Sequence, residues 1–255
     1  MIEMVDVVKK YGDKLAVDHV SLTIREGELF AFLGPNGAGK TTTIKLLCNL
    51  LFPNQGTIRI GGLDLRTHGE QARRMLSYVP DLPFLYEKLT GLEFLEFIGD
   101  VYGMNRDLTR EKIQEVSALF QLDPFLNDLT ERYSHGMRQR TVFAAALLHD
   151  PKILIVDEPT VGLDPKSVRQ LKDTLRKQAD MGKAIFLSSH SLDIVEELAD
   201  TIGIIFQGRL IAFGSLEAIK NQAEMDGSLE QVFLKMTEES EEIPQKPTGV
   251  QGAVS

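Results

Sequence analysis

The chain has no tryptophan and a single cysteine, Cys48, among its 255 residues. One thiol excludes an internal disulfide and fits a reducing compartment. Cys48 stands among Leu46, Leu47, Leu50 and Leu51 and reads as a small buried apolar side chain. No uninterrupted apolar run approaches the roughly 18 residues of a membrane-crossing helix, so no span is expected. Basic charge is not in excess: 28 lysines and arginines face 37 aspartates and glutamates, for a net charge of −9. An overall basic field that draws a protein to nucleic acid is therefore absent, and no nucleic-acid partner is expected. The five histidines, at 19, 68, 135, 149 and 190, show no metal-ligand spacing. The start, Met1-Ile2-Glu3-Met4, is acidic and strand-like, unlike a signal peptide. A hydrophobic share of 43% is ample for a packed core in one large or two small domains.

Glycines gather in one informative place. The run Gly34-Pro35-Asn36-Gly37-Ala38-Gly39-Lys40-Thr41-Thr42 follows a short apolar run, Leu29 to Leu33, and opens a helix-like stretch from Thr42 to Leu51. The spacing is G-x-x-x-x-G-K-T in a strand-then-helix context. Glycines at both ends let the backbone fold tightly and turn its N–H groups inward on a phosphate. The start of the next helix adds unpaired donors and a favourable dipole. Lys40 is placed to reach β- and γ-phosphates, and the Thr41 hydroxyl to bind Mg²⁺. The expected ligand is a nucleoside triphosphate.

Around this loop the pattern alternates between strand and helix. Strands are expected over 2–8, 15–24, 29–33, 57–60 and 76–79, with turns at 25–28 and 53–56. The first of these read as an antiparallel layer. Residues 91–149 then carry helix-period apolar residues: Leu92, Leu95, Ile98 and Val101, then Ile113, Val116 and Phe120. They read as a helical insertion. Strand signals return at 153–156, 184–187 and 202–206, separated by helical patterns at 166–181 and 191–199. Such alternation implies a parallel sheet with crossover helices. From about Met236 the chain runs through Glu238, Glu239, Glu241 and Glu242 into Pro244 and Pro247, and reads as a disordered acidic tail over 236–255.

A second constellation closes the strand Ile153-Leu154-Ile155-Val156 with Asp157 and Glu158. A wholly apolar strand suits the centre of a parallel sheet, which presents ligands at its carboxyl ends. Neighbouring side chains at a strand end point apart. Asp157 is therefore assigned to the metal, through water, and Glu158 to the base that polarises an attacking water. His190 closes the strand Phe186-Leu187-Ser188-Ser189 and is placed to hydrogen-bond a γ-phosphate.

Taken in order, these motifs resemble the ATP-binding cassette family over nearly the whole chain up to about residue 235. On that resemblance Tyr11 is the aromatic that stacks on adenine, with Val17 also among the ATP-binding residues Gly34, Pro35, Asn36, Gly37, Ala38, Gly39, Lys40, Thr41 and Thr42. Tyr78-Val79-Pro80-Asp81 stands where the family's glutamine loop belongs. There Asp81 is a metal-side carboxylate in place of glutamine, one methylene shorter and unable to donate a hydrogen bond when ionised. Tyr133-Ser134-His135-Gly136-Met137 stands at the signature, commonly L-S-G-G-Q. Ser134 and Gly136 would reach the nucleotide of a second subunit. Gly162-Leu163-Asp164-Pro165 looks like the D-loop, with Asp164 touching that subunit, and His190 looks like the switch histidine.

The resemblance implies an α/β P-loop NTPase fold with a mixed, largely parallel core sheet, an N-terminal antiparallel β layer and an inserted α-helical subdomain. The cassette would occupy 1–235, with the helical subdomain at about 82–149. ATP and Mg²⁺ are the implied ligands. The implied partners are a second ATP-binding subunit and a transmembrane permease on a separate chain, with this subunit peripheral at the cytoplasmic face of the membrane. The altered signature looks like that of bacterial exporters. The alternative is a soluble cassette ATPase of a non-transport complex, such as iron–sulfur assembly. His135 visits positive φ less freely than glycine, so a working but slower ATPase is expected. Phe84, Leu85 and Tyr86 carry two readings, a docking patch for the permease or ordinary core.

Overall fold

The computed structural model describes residues 1–160 and 163–242. Its strands are β1 (Ile2–Tyr11), β2 (Lys14–Ile24), β3 (Leu29–Leu33), β4 (Gln55–Ile60), β5 (Leu63–Asp64), β6 (Leu76–Val79), β7 (Ile153–Asp157), β8 (Ala184–Ser189), β9 (Thr201–Phe206) and β10 (Arg209–Gly214). Its α-helices are α1 (Lys40–Leu47), α2 (Leu65–Arg73), α3 (Gly91–Val101), α4 (Arg106–Phe120), α5 (His135–Leu147), α6 (Pro165–Asp180), α7 (Leu192–Leu198), α8 (Leu216–Gln222) and α9 (Leu229–Glu242).

Among the described residues these strands form two sheets. The N-terminal sheet is antiparallel, in the order β2-β1-β4-β5. The larger sheet runs β10-β9-β3-β8-β7-β6 and is parallel except at the edge strand β10. β3, β7 and β8 are buried along their whole length, which is why their sequences are continuous apolar runs. Phe30 and Phe32 of β3 each hold a ring centroid 5.3 Å from Phe186 of β8. Burying each such side chain contributes about 2–3 kcal/mol. Register then decides where the loops fall. Leu33 pairs with Ser189, and Asp157 with Ser188, so β3, β7 and β8 end at one edge of the sheet. The phosphate loop, Glu158 and His190 follow those ends directly.

Helices α3, α4 and α5 occupy the chain between β6 and β7 and share a core of Leu95, Ile113, Val116, Phe120 and Phe143. Their starts are built locally. Thr90 and Glu93 form a reciprocal capping box on α3, Asn105 caps α4 and Ser134 caps α5. Inside the cluster the Tyr133 hydroxyl donates to the Phe125 carbonyl at 2.8 Å.

Some expectations change. α1 ends at Leu47 and does not run on to Leu51, because Asn49 turns to φ 54° and the N–H groups of Leu50 and Leu51 bond back to the Lys45 carbonyl. α9 continues through Met236 to Glu242, where a disordered tail was expected to begin. Leu229, Val232 and Met236 recur along it and bury in one cluster with Ile202 and Ile204 of β9 and Ile219 of α8. Apolar spacing outweighs the acidic composition there. The rest of that tail, from 243 onward, lies outside the described residues, as does Gly162. No helix among the described residues is long and apolar enough to cross a membrane.

Candidate functional site

The loop after β3 is a cradle shaped by close backbone approach. A Cβ on Gly34 would meet the Ile205 carbonyl at 2.4 Å, and one on Gly39 the Ala16 carbonyl at 2.4 Å. Gly37 and Gly39 adopt φ of 80° and 118°, which side chains rarely tolerate. The loop is tied to the sheet by the Gly208 N–H, which donates to the Ala38 carbonyl at 2.8 Å. Lys40, at the start of α1, is only 8% exposed. Its ammonium donates to the Gly34 carbonyl at 2.6 Å and lies 3.7 Å from a Glu158 carboxylate oxygen. One buried cation is thus held between the loop and the end of β7.

Glu158 follows β7 at φ 44°, a left-handed conformation that costs a non-glycine residue about 1 kcal/mol or more. Its N–H donates to the Ser188 carbonyl at 3.0 Å, which pins the turn to β8. Its carboxylate accepts from the His190 backbone N–H at 3.1 Å and sits 2.7 Å from His190 Nδ1. With Nδ1 donating there, a ring that donates at Nε2 as well carries a positive charge. Asp157, one residue earlier, is buried, and burial is the main reason its carboxyl is pushed up to about 6. The Ser188 hydroxyl opposes that rise, Asp81 and Glu158 add to it, and Lys40 opposes it.

Lys40, Asp157 and Glu158 border one open cleft, lined also by Tyr11, Lys14, Ala16, Pro35, Asn36, Gly37, Gly39, Thr41, Thr42 and Asp81, while His190 does not line it and reaches it through its contact with Glu158. Thr41, Asp157 and Asp81 give the cleft a hydroxyl and two carboxylates, the hard oxygen donors that suit Mg²⁺. No group of three or more histidine, cysteine or carboxylate residues able to hold a metal stands among the described residues. The donors therefore fit a Mg²⁺ that completes its shell with phosphate oxygens and water, not a protein-only cage.

Two expectations need correcting at this cleft. Val17 is wholly buried in the core, so its side chain does not reach the ligand. Ala16 and Lys14, two apart on β2 and so on one face of it, line the cleft instead. Ala38 is also buried in that core, and it is its carbonyl that serves the loop.

Ser134, Gly136 and Asp164 do not line the cleft in this chain. Ser134 and Gly136 stand at the exposed start of α5, where the Ser134 hydroxyl accepts from the Met137 N–H at 3.3 Å. Asp164 caps α6, accepting from the N–H groups of Lys166 and Ser167 at 3.0 Å each and from the Ser167 hydroxyl at 2.6 Å. The bonds from Ser167 hold its carboxyl below the usual range. Asp81 lines the cleft while its carboxylate accepts from the Leu82 N–H at 2.8 Å.

The sequence profile described as ABC transporter matches residues 17–161. The chain belongs to that family. YbhF of Escherichia coli, a probable multidrug ABC transporter ATP-binding protein, is 36% identical over 240 residues, which are 92% of this chain and 41% of that protein. The chain thus spans less than half the length of this relative. DrrA of Streptomyces peucetius, a daunorubicin/doxorubicin resistance ATP-binding protein, is 39% identical over 220 residues, 86% of this chain and 67% of that one. A solved ATP-binding subunit of an ABC transporter matches with a TM-score of 0.88 at 33% identity, over 93% of this chain and 99% of the other. The dimeric cassette MJ0796 bound to ADP and Pi matches at 0.78 and 26% identity, over 85% and 99%. The α/β fold with its antiparallel and mixed sheets is that of the ATP-binding cassettes.

Proposed function

We propose that this chain binds and hydrolyses ATP, and that two cassettes closing on two nucleotides drive a separate membrane permease in the direction of export. The observation that carries this reading is the meeting of Lys40, Asp157, Glu158 and His190 at one sheet edge, beside a glycine cradle shaped for phosphate. Mg²⁺, held by Thr41 and Asp157 with Asp81 nearby, would neutralise charge developing on the phosphates. Lys40 exchanges its Gly34 carbonyl for the β- and γ-phosphates. Glu158 takes the proton of a water whose oxygen attacks the γ-phosphorus, and ADP and phosphate leave. His190, bonded to Glu158, keeps that carboxylate aimed. Ser134 and Gly136 of the facing subunit close the γ-phosphate from the other side, so hydrolysis removes the bridge between the two.

A dimeric relative bound to ADP and Pi supports the paired arrangement, and relatives named for multidrug transport and drug resistance support export. They lend no support to a soluble non-transport machine. The docking reading for residues 84–86 divides by residue. Leu85 is 1% exposed and belongs to the core. Leu82 and Phe84 are 74% and 70% exposed, and Phe84 and Phe97 both pack edge-on to Tyr86. That aromatic patch next to Asp81 is the face offered to the permease, which would hold this subunit at the cytoplasmic side of the membrane.

Glu158→Gln tests the reading. Turnover is expected to fall at least about a hundredfold while ATP affinity is kept, since the base is lost and the phosphate contacts are not. Size-exclusion with ATP should then show a trapped dimer. Unchanged turnover would overturn the assignment of the base.

A further inference from the structure

Glu158 must be aimed from a strained backbone, and something has to hold the turn that carries it. One support is the Ser188 carbonyl under the Glu158 N–H. The other comes from the helical insertion. Gln139 of α5 is 1% exposed, and its side-chain amide donates to the carbonyl of Pro159, the residue after Glu158, at 3.3 Å. Its Oε1 is buried and finds no donor among the described residues. A buried amide left half-satisfied is costly, so burying it here calls for a reason beyond packing.

The same helix begins at Ser134, in the segment that would face the partner's nucleotide. Gln139 stands five positions after Ser134, about 7.5 Å along the helix that starts there. Gln139 also lines a small surface depression with Leu163 and Ser167, beside the Asp164 cap. A shift of α5 would therefore reach the Glu158–Pro159 turn directly.

We propose that Gln139 is a positioning residue that links the exposed start of α5 to the catalytic turn of the same chain, so that engagement of Ser134 by the facing nucleotide sets the aim of Glu158. This rests on the paired-ATPase reading above. Gln139→Met keeps length and packing and removes the donor. It is expected to lower kcat about tenfold with KM within about twofold, because a small misplacement of a catalytic group costs rate before it costs binding. Gln139→Leu, a second variant without the donor, should behave likewise if methionine impairs folding.

The decisive measurement is a double-mutant cycle on kcat with Ser134→Ala, made on the full chain with melting temperatures recorded. A coupling residue makes the two effects non-additive, the double variant losing little beyond the worse single one. Additive losses, an unchanged kcat, or parallel loss of kcat and ATP affinity with a lowered melting temperature would each overturn the proposal while wild-type turnover still stands. A wild-type chain without ATP-dependent turnover would overturn the paired-ATPase reading itself.

Discussion

Lys40 and Ser134 each stand at the start of a helix, α1 and α5, and each is read as a phosphate contact. Their surroundings differ. Lys40 is buried, bonded to the loop it serves, flanked by fully buried strands and 3.7 Å from Glu158. Ser134 and His135 are exposed, and the Ser134 hydroxyl is engaged only in capping its own helix among the bonds described. The first end is a finished half-site within one chain. The second has the donors for an anion and no ligand-facing wall of its own. On the proposed reading, the contrast teaches that burial pre-organises the chemical half, while the closing half would depend on a second body to complete it.

Lys40→Ala should be the most damaging change to this asymmetry. Removing this buried cation is expected to weaken ATP binding at least about a hundredfold, measured by calorimetry. Normal affinity would show that the buried half does not depend on its cation.

The far end of α5 offers a stability test. His149 stacks on Tyr102, which follows α3, at 3.5 Å between ring centroids, in the seam with β6. Burial, chiefly, pulls its ring from the ordinary 6.5 down to about 4. Between those values the unfolded chain binds a proton that the native one does not, so stability is full above about pH 6.5 and falls as pH drops toward 4. From pH 7 to 5 the loss is about 2 kcal/mol for this residue, given one unit per 1.36 kcal/mol. Urea unfolding of wild type and His149→Gln at both pH values checks it. Equal losses in the two proteins would remove His149 from the account.

The smallest effect is expected at Ser134. Ser134→Ala should weaken ATP-driven association about tenfold and leave the affinity of the single chain within about twofold, as the loss of one hydrogen bond at an interface does. It also removes a helix cap worth about 1 kcal/mol. Ser134→Asp restores the cap but sets a carboxylate against the triphosphate, so it should fold well and associate worst. Equal loss of monomer affinity and association in Ser134→Ala would break the comparison between the two helix starts.

The phosphate loop, the carboxylate pair and the central strands were legible because each is written locally. G-x-x-x-x-G-K-T has few other uses, and Leu29–Leu33 and Ile153–Val156 admit little but burial on both faces. Val17 comes from the family resemblance, which does not fix which residue of β2 faces the cleft; the structure buries Val17, whereas Ala16 carries the carbonyl that the loop packs against. The last turns of α9 were not legible because the acidic composition from Met236 on hides a spacing of Leu229, Val232 and Met236 that buries one face of the helix. β5 and β10 went unread because a two-residue strand and an antiparallel edge have little pattern of their own.

From its sequence alone this chain is committed to cradling a triphosphate, to placing two acids after a buried strand and to inserting a helical segment, since backbone freedom, charge and periodicity act over a few residues. Which acids and rings meet was settled only in three dimensions. Strand register brought Glu158 within 2.7 Å of His190 and 3.7 Å of Lys40, and packing of α5 set the Gln139 amide under Pro159. Those contacts join residues 20 to 118 positions apart, and only a closed core holds such distant positions to within a bond length or two.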